Sequence, residues 1–354
     1  MRKLIQFGTC ALAIGITAVS AGLPVLSKAR AAEVEGPQVK WLVSLWGNRR
    51  GATEGIEKIA EYVGAKTDGK FNISPQYGEV LSNHAENLDG LKIGAFESAM
   101  FCPFQQPDKT SVLNGLDLAL LPIDTLRQRE YVTEAYYKQQ AVLDEFAKWG
   151  AVPIMGSILP NWEVMGTGTP PTSLEDWKGK RILAGGGVGD VLRGIGVVVT
   201  YVPGPEAYQA LERNVIDGVA YPYTYAFGAY KLQDISTWVT DRWSLGSTVC
   251  HFAAAKSAYE ALPQQYKDLL NEAKGVAYDD MISKYETTDQ ANEKKFKEAK
   301  LTRVEKTPAI KEAIEVAAKP SWEAWAVSLE KQGLPGKDLL AFILKTAADA
   351  KTSN

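Results

Sequence analysis

From Gln38 onward, short β-rich pieces alternate with amphipathic helical stretches, and that alternation confines the chain to the α/β class. Residues 39–45 read as the first strand, and the loop Trp46-Gly47-Asn48-Arg49-Arg50-Gly51 leads into a helix over 53–66 whose Ile56, Ile59, Ala60 and Val63 share one face. Asp68-Gly69 supplies a turn before a strand at 71–74, and a helix over 84–94 turns Leu88 and Leu91 inward. An apolar run at 95–101, bounded by Gly94 and Pro103, fits a buried strand. Residues 124–150 read as helical and 152–159 as a strand, with short strands expected at 182–183, 197–201 and 219–220. Pro263 opens a long polar-faced helix to about residue 300; proline suits a first turn because its missing N–H would be unpaired there anyway. No Pro-, Gly- or Ser-rich linker cuts the chain into independent domains.

The beginning of the chain has the pattern of an export signal. Arg2 and Lys3 precede an apolar run from Leu4 to about Gly22, and Ala29-Arg30-Ala31 forms a small-x-small cleavage site. Residues 1–31 are therefore expected to be a cleaved signal peptide and the protein to be periplasmic. The run is short for a membrane anchor, no stop-transfer segment follows it, and Cys10 lies inside it, which argues against a lipoprotein. Cleavage would remove four cations and no acids, leaving 35 Lys and Arg against 42 Asp and Glu, a formal charge of -7. That balance disfavours nucleic acid as a partner. A remaining chain of roughly 320 residues exceeds one ordinary core, so two lobes are expected.

Cys102 and Cys250 would remain, in a compartment that permits disulfides. Their pairing cannot be read from spacing; two buried thiols are the preferred reading and a bridge the alternative. A metal site from Cys102, Cys250, His251 and His84 has no ligand-spacing motif behind it and is not expected. Enzyme motifs are missing: no G-x-S-x-G elbow, no H-E-x-x-H, no P-loop. Gly185-Gly186-Gly187-Val188-Gly189-Asp190 has Asp190 where a dinucleotide loop needs its last glycine, so it reads as a strand-to-helix turn. With two histidines and no acidic pair standing out, a binding protein is a better reading than an enzyme.

The segment 175–218 is the most specific in the chain. It runs Glu175-Asp176-Trp177-Lys178-Gly179-Lys180-Arg181-Ile182-Leu183, then a Gly-rich turn, then a helix from Glu206-Ala207-Tyr208-Gln209-Ala210-Leu211 to Asp217-Gly218. This resembles the solute-binding proteins of tripartite ATP-independent periplasmic (TRAP) transporters, the DctP type. Gly51-Ala52-Thr53, Thr67-Asp68-Gly69-Lys70, Gly78-Glu79-Val80-Leu81, Leu121-Pro122, Ala261-Leu262-Pro263 and Gly333-Leu334-Pro335 follow in the family's order, so the resemblance covers nearly the whole exported chain. It implies a two-lobed periplasmic binding protein, type II-like, with strands crossing between lobes and a long helix spanning both. The implied lobes are 33–160 with 249–288, and 161–248 with 289–354.

The resemblance also places the site, and there this chain departs. The family's strand ends in an Arg that usually holds a substrate carboxylate; that position is Leu183. A second position, Arg in many carboxylate-binding members, falls on Glu163 within Pro160-Asn161-Trp162-Glu163-Val164. Tyr221-Pro222 replaces the usual Asn-Pro, a polar pocket position falls near Trp243, and the first-strand loop offers Trp46. Losing two guanidiniums and gaining a carboxylate would reverse the charge of the preferred guest, and aromatic faces at Trp46, Tyr221, Trp243, Trp162 or Phe101 would attract a cation. The expectation is a receptor for a small cationic or zwitterionic amine, an amino alcohol or quaternary ammonium compound, with Glu163 as counter-ion. The alternatives are a carboxylate receptor using Arg49 or Arg50, and a sensory solute receptor. The resemblance implies delivery of a small organic solute to a TRAP permease with small and large membrane subunits, driven by an ion gradient, so no cofactor or nucleotide is expected.

Overall fold

Eleven strands form two sheets in the computed structural model, which describes residues 32–202, 204–223 and 225–352. The segment read as a signal peptide, 1–31, lies outside them. The strands are β1 (Val39–Ser44), β2 (Phe71–Gln76), β3 (Ser98–Phe101), β4 (Ala151–Ile158), β5 (Trp162–Gly166), β6 (Arg181–Leu183), β7 (Val198–Thr200), β8 (Gly218–Pro222), β9 (Trp238–Asp241), β10 (Val249–Ala255) and β11 (Thr302–Glu305). One sheet runs in the order β2-β1-β3-β10-β4, the other β11-β9-β5-β8-β6-β7. The helices are α1 (Glu54–Lys66), α2 (Asn87–Ile93), α3 (Leu126–Tyr136), α4 (Gln140–Lys148), α5 (Leu174–Trp177), α6 (Gly186–Gly194), α7 (Ala207–Glu212), α8 (Tyr225–Ala229), α9 (Lys256–Glu260), α10 (Gln264–Glu298), α11 (Pro308–Glu330) and α12 (Gly336–Thr352).

Local chemistry explains most of these boundaries. Ile56, Ile59 and Val63 bury the inner face of α1, and Asp68 and Gly69 turn the chain through left-handed backbone before β2. The stretch 124–150, read as one helical region, is two helices. Thr125 starts α3 with a capping box, its hydroxyl accepting from the Gln128 N–H while the Gln128 side chain accepts from the Thr125 N–H. Strands β5, β9, β10 and β11 had no counterpart among the expected strands. β10 belongs to the first sheet although it follows all but one strand of the second, so the chain crosses between sheets near 159–161 and returns near 243–248.

The crossings are tied to each other. The Trp162 N–H donates to the Gly246 carbonyl at 2.7 Å, Leu245 donates to Trp162 at 3.1 Å, and the Ser247 hydroxyl donates to Leu159 at 2.6 Å. Gly246 has φ +119°, and a Cβ there would meet the Ala119 Cα at 2.9 Å, so this turn needs glycine on both grounds. Buried Asp117 sits behind it, accepting from the Thr248 hydroxyl and, at 3.2 Å, from the Val249 N–H.

Helix α10 serves both halves. Its Met281 and Tyr285 pack into the core around the first sheet and its Phe296 into the core around β8. The C-terminal helix departs from the expected division, because Leu339, Ile343 and Ala347 of α12 join the first sheet's core. Helix α12 packs against both α11 and α3.

Candidate functional site

Each sheet sends aromatic side chains into one space between them. From the end of β1, the loop carries Trp46 and Arg50; from β5 and β8 come Trp162, Tyr221 and Pro222; from the β6–α6 turn come Leu183, Ala184 and Gly185. They enclose a cavity of about 50 Å³, several times the ~10–15 Å³ that one water needs. Phe104, Leu159, Tyr225 and the sulfur pair Cys102 and Cys250 complete much of its wall.

Arg50 is 8% exposed and the only charged side chain among the described lining residues. Its Nη1 donates to the Trp46 and Asn48 carbonyls, both at 2.8 Å, and its guanidinium lies 3.9 Å from the Trp46 ring centroid. Those contacts fix its orientation. Nη2 is buried and has no hydrogen-bond partner within the protein. The same is true of Trp46 Nε1, Trp162 Nε1 and the Tyr221 hydroxyl. Burial pushes the Tyr221 hydroxyl well above its ordinary pKa, so it remains a donor, and the Arg50 charge reaches it and Tyr225. Trp162 and Tyr221 meet edge to face at 6.3 Å between centroids. The site thus presents unpaired donors from both halves, with one unpaired acceptor, Gln105 Oε1, in a largely aromatic enclosure. A carboxylate, with two oxygens and about four lone-pair positions, has the complementary chemistry.

The sequence profile of bacterial extracellular solute-binding protein family 7, DctP, matches residues 43–328. The chain belongs to this family of TRAP solute receptors. It is 24% identical over 264 residues to the monocarboxylate 2-oxoacid-binding periplasmic protein of Nostoc sp., covering 71% of this chain and 69% of that protein. Two solved TRAP solute-binding proteins share the fold. One, from a marine metagenome and specific for aromatic acid ligands, holds 3-hydroxybenzoate; it has TM-score 0.79 and 16% identity, over 89% of this chain and 99% of that one. The other, from Bordetella bronchiseptica with bound mandelate, has TM-score 0.78 and 21% identity, over 89% and 100%.

In this DctP receptor, the residues singled out from sequence fall into two groups. Trp46, Trp162, Leu183 and Tyr221 line the cavity. Glu163, Trp243 and Phe101 are not among the residues lining it. Glu163 is 2% exposed and spent on structure: it accepts from the Thr240 hydroxyl, from Trp243 N at 3.0 Å and from Ser244 N at 2.7 Å. Its role is to hold the turn after β9, where Arg242 and Ser244 both have positive φ. Trp243 is buried against Trp177, its indole donating to Val304 at 2.9 Å. Phe101 packs on Phe146 and His251, on the opposite side of β3 from Cys102.

The arginines separate in the same way. Arg49 is exposed and engaged with Glu54 at 2.8 Å and Glu57 at 3.9 Å, and Arg181 is exposed and paired with Asp217 at 2.7 Å. The Trp46 face that an ammonium guest would need is covered by Arg50. The preferred reading of two thiols is also corrected: Cys102 and Cys250 form a disulfide. Nδ1 of His251 meets the Tyr137 hydroxyl and Nδ1 of His84 meets Glu79. Phe104, Gln105, Tyr225 and Tyr230 were missed as lining residues; no spacing rule points to them, since they come from loops and one short helix that only the fold brings together.

Burial raises the Glu163 carboxyl to about 7 despite the three donors facing it. A folded-state value above the unfolded one means that the folded protein holds the proton more tightly. This contribution to stability is complete below about pH 4.5 and is lost as pH rises through about 7. Glu163→Gln, which cannot titrate, should show a flatter dependence of unfolding free energy between pH 5 and pH 8 in urea titrations. Capture of an acid should change little, because the Glu163 side chain leaves β5 on the face opposite Trp162 and is spent on Thr240, Trp243 and Ser244. Parallel pH curves for the two proteins would remove this role from Glu163.

Proposed function

We propose that this receptor captures a small organic acid, holding its carboxylate on Arg50, and delivers it in the periplasm to a TRAP permease of small and large membrane subunits. The observation that carries the reading is the Arg50 guanidinium: buried at the cavity, oriented by two carbonyls, with Nη2 unpartnered by the protein. A charge-assisted, paired contact with a carboxylate would satisfy it. The donors of Trp162 and Tyr221 reach the same guest from the second sheet, so the ligand would favour the closed arrangement by touching both halves. The Nostoc relative's name specifies monocarboxylate 2-oxoacids, and the two fold relatives hold aromatic acids, which agrees in charge with this reading and gives none to an amine.

The test is a thermal-shift screen of the purified protein against matched panels of carboxylates, amines, quaternary ammonium compounds and zwitterions. A ligand at 100 times its Kd should add ~2.7 kcal/mol to apparent stability. Shifts confined to carboxylates support the proposal; shifts confined to amines overturn it.

A further inference from the structure

We infer that the cavity is built for a single-charge guest, a monocarboxylate with a short, uncharged, apolar body, and that Leu183 is one of the residues enforcing this; the inference rests on the carboxylate reading above. Three observations carry it. First, Arg50 is the only cation among the described lining residues, so a second carboxylate in the enclosure would meet no opposite charge. Taking an unpaired charge out of water costs far more than any dispersion contact returns.

Second, much of the remaining wall is apolar. Leu159, Leu183, Ala184, Phe104, Pro222 and the disulfide present carbon and sulfur. Leu183 is buried, and its carbon side chain stands at the strand end where β6 meets the cavity. Hydroxyl groups on the guest would lose water here and find few partners: one carboxylate matches the unpaired donors Arg50 Nη2, Trp46 Nε1, Trp162 Nε1 and Tyr221 OH, which leaves the Gln105 amide oxygen as the unpaired acceptor. Third, the cavity is small, about 50 Å³, which favours a compact body unless the halves move apart.

Isothermal titration of the purified protein with chains of equal length isolates each term. Butanoate and pentanoate are expected to bind. Succinate and glutarate, which differ only by a second carboxylate, should bind at least about 100-fold more weakly. Threonate, butanoate's trihydroxy counterpart, should lose at least about 10-fold. Benzoate tests a flat body of larger size. A dicarboxylate that binds as well as butanoate, with that binding lost in Arg50→Gln, overturns the single-charge part of the inference, threonate that does so overturns the apolar-body part, and either leaves the carboxylate reading standing. Choline binding with no response to any acid overturns both.

Leu183→Arg, checked for folding by circular dichroism, should gain affinity for succinate and lose it for butanoate. A folded variant with the parent's preference removes Leu183 from the role. Should that variant not fold, the comparison of butanoate with succinate on the parent protein still decides the main inference.

Discussion

Arg50→Gln should weaken capture of a monocarboxylate by at least about 100-fold, because a buried carboxylate left without its partner costs roughly 3–5 kcal/mol. The size follows from how the arginine is held. Nη1 is spent on the Trp46 and Asn48 carbonyls and the guanidinium plane rests on the Trp46 ring, so Nη2 is oriented before any ligand arrives. Little rotamer entropy remains to be lost on binding. Arg50→Lys separates charge from shape. An ammonium keeps the charge but cannot hold two loop carbonyls and reach the guest in one plane, so an intermediate loss of about 10-fold is expected. Calorimetry on both variants, with circular dichroism to verify the 46–51 loop and fold, provides the measurement. Binding of Arg50→Gln within threefold of the parent would remove Arg50 from the site.

Why the sequence pointed to Glu163 first, with Arg49 or Arg50 as the alternative, has a physical explanation. Counting along the family pattern reached two residues that line the cavity, Trp162 and Leu183. It could not say which face each neighbour takes. Glu163 follows Trp162 directly, yet goes into the layer where Thr240, Trp243 and Ser244 offer three donors, something fixed only once β9 lies beside β5. Trp243 goes astray for the same reason, since the left-handed turn at Arg242 and Ser244 rotates it into the core. Arg49 and Arg50 are adjacent and chemically identical. What separates them is that Glu54, the first residue of α1, engages Arg49, while Arg50 folds back on Trp46. Helical and strand periodicity made α1, α10 and the first sheet's early strands legible. Strand β10 was not recovered, because an apolar run such as Val249–Ala255 carries no period of its own.

The disulfide shows the same dependence on topology, and its removal is the other change expected to have a large effect. Cys102 and Cys250 are 148 residues apart in sequence, but antiparallel pairing of β3 with β10 brings His251 opposite Phe101 and the two cysteines to the next rung. Closing a loop of that length is worth about 5 kcal/mol on chain-entropy grounds, with about 2–4 the usual outcome. Reduction, or Cys102→Ser with Cys250→Ser, should therefore lower the melting temperature by about 4–8 °C. Both sulfurs also line the cavity, so a saturating acid should slow reduction by dithiothreitol, followed by thiol labelling. A reduced protein that melts with the parent would mean that β-sheet pairing alone fixes the cavity wall. Slowed reduction together with a lowered melting temperature would mean that the covalent tie and the ligand stabilise the same part of the molecule. That part is where β10, returning from the second sheet, meets β3 of the first.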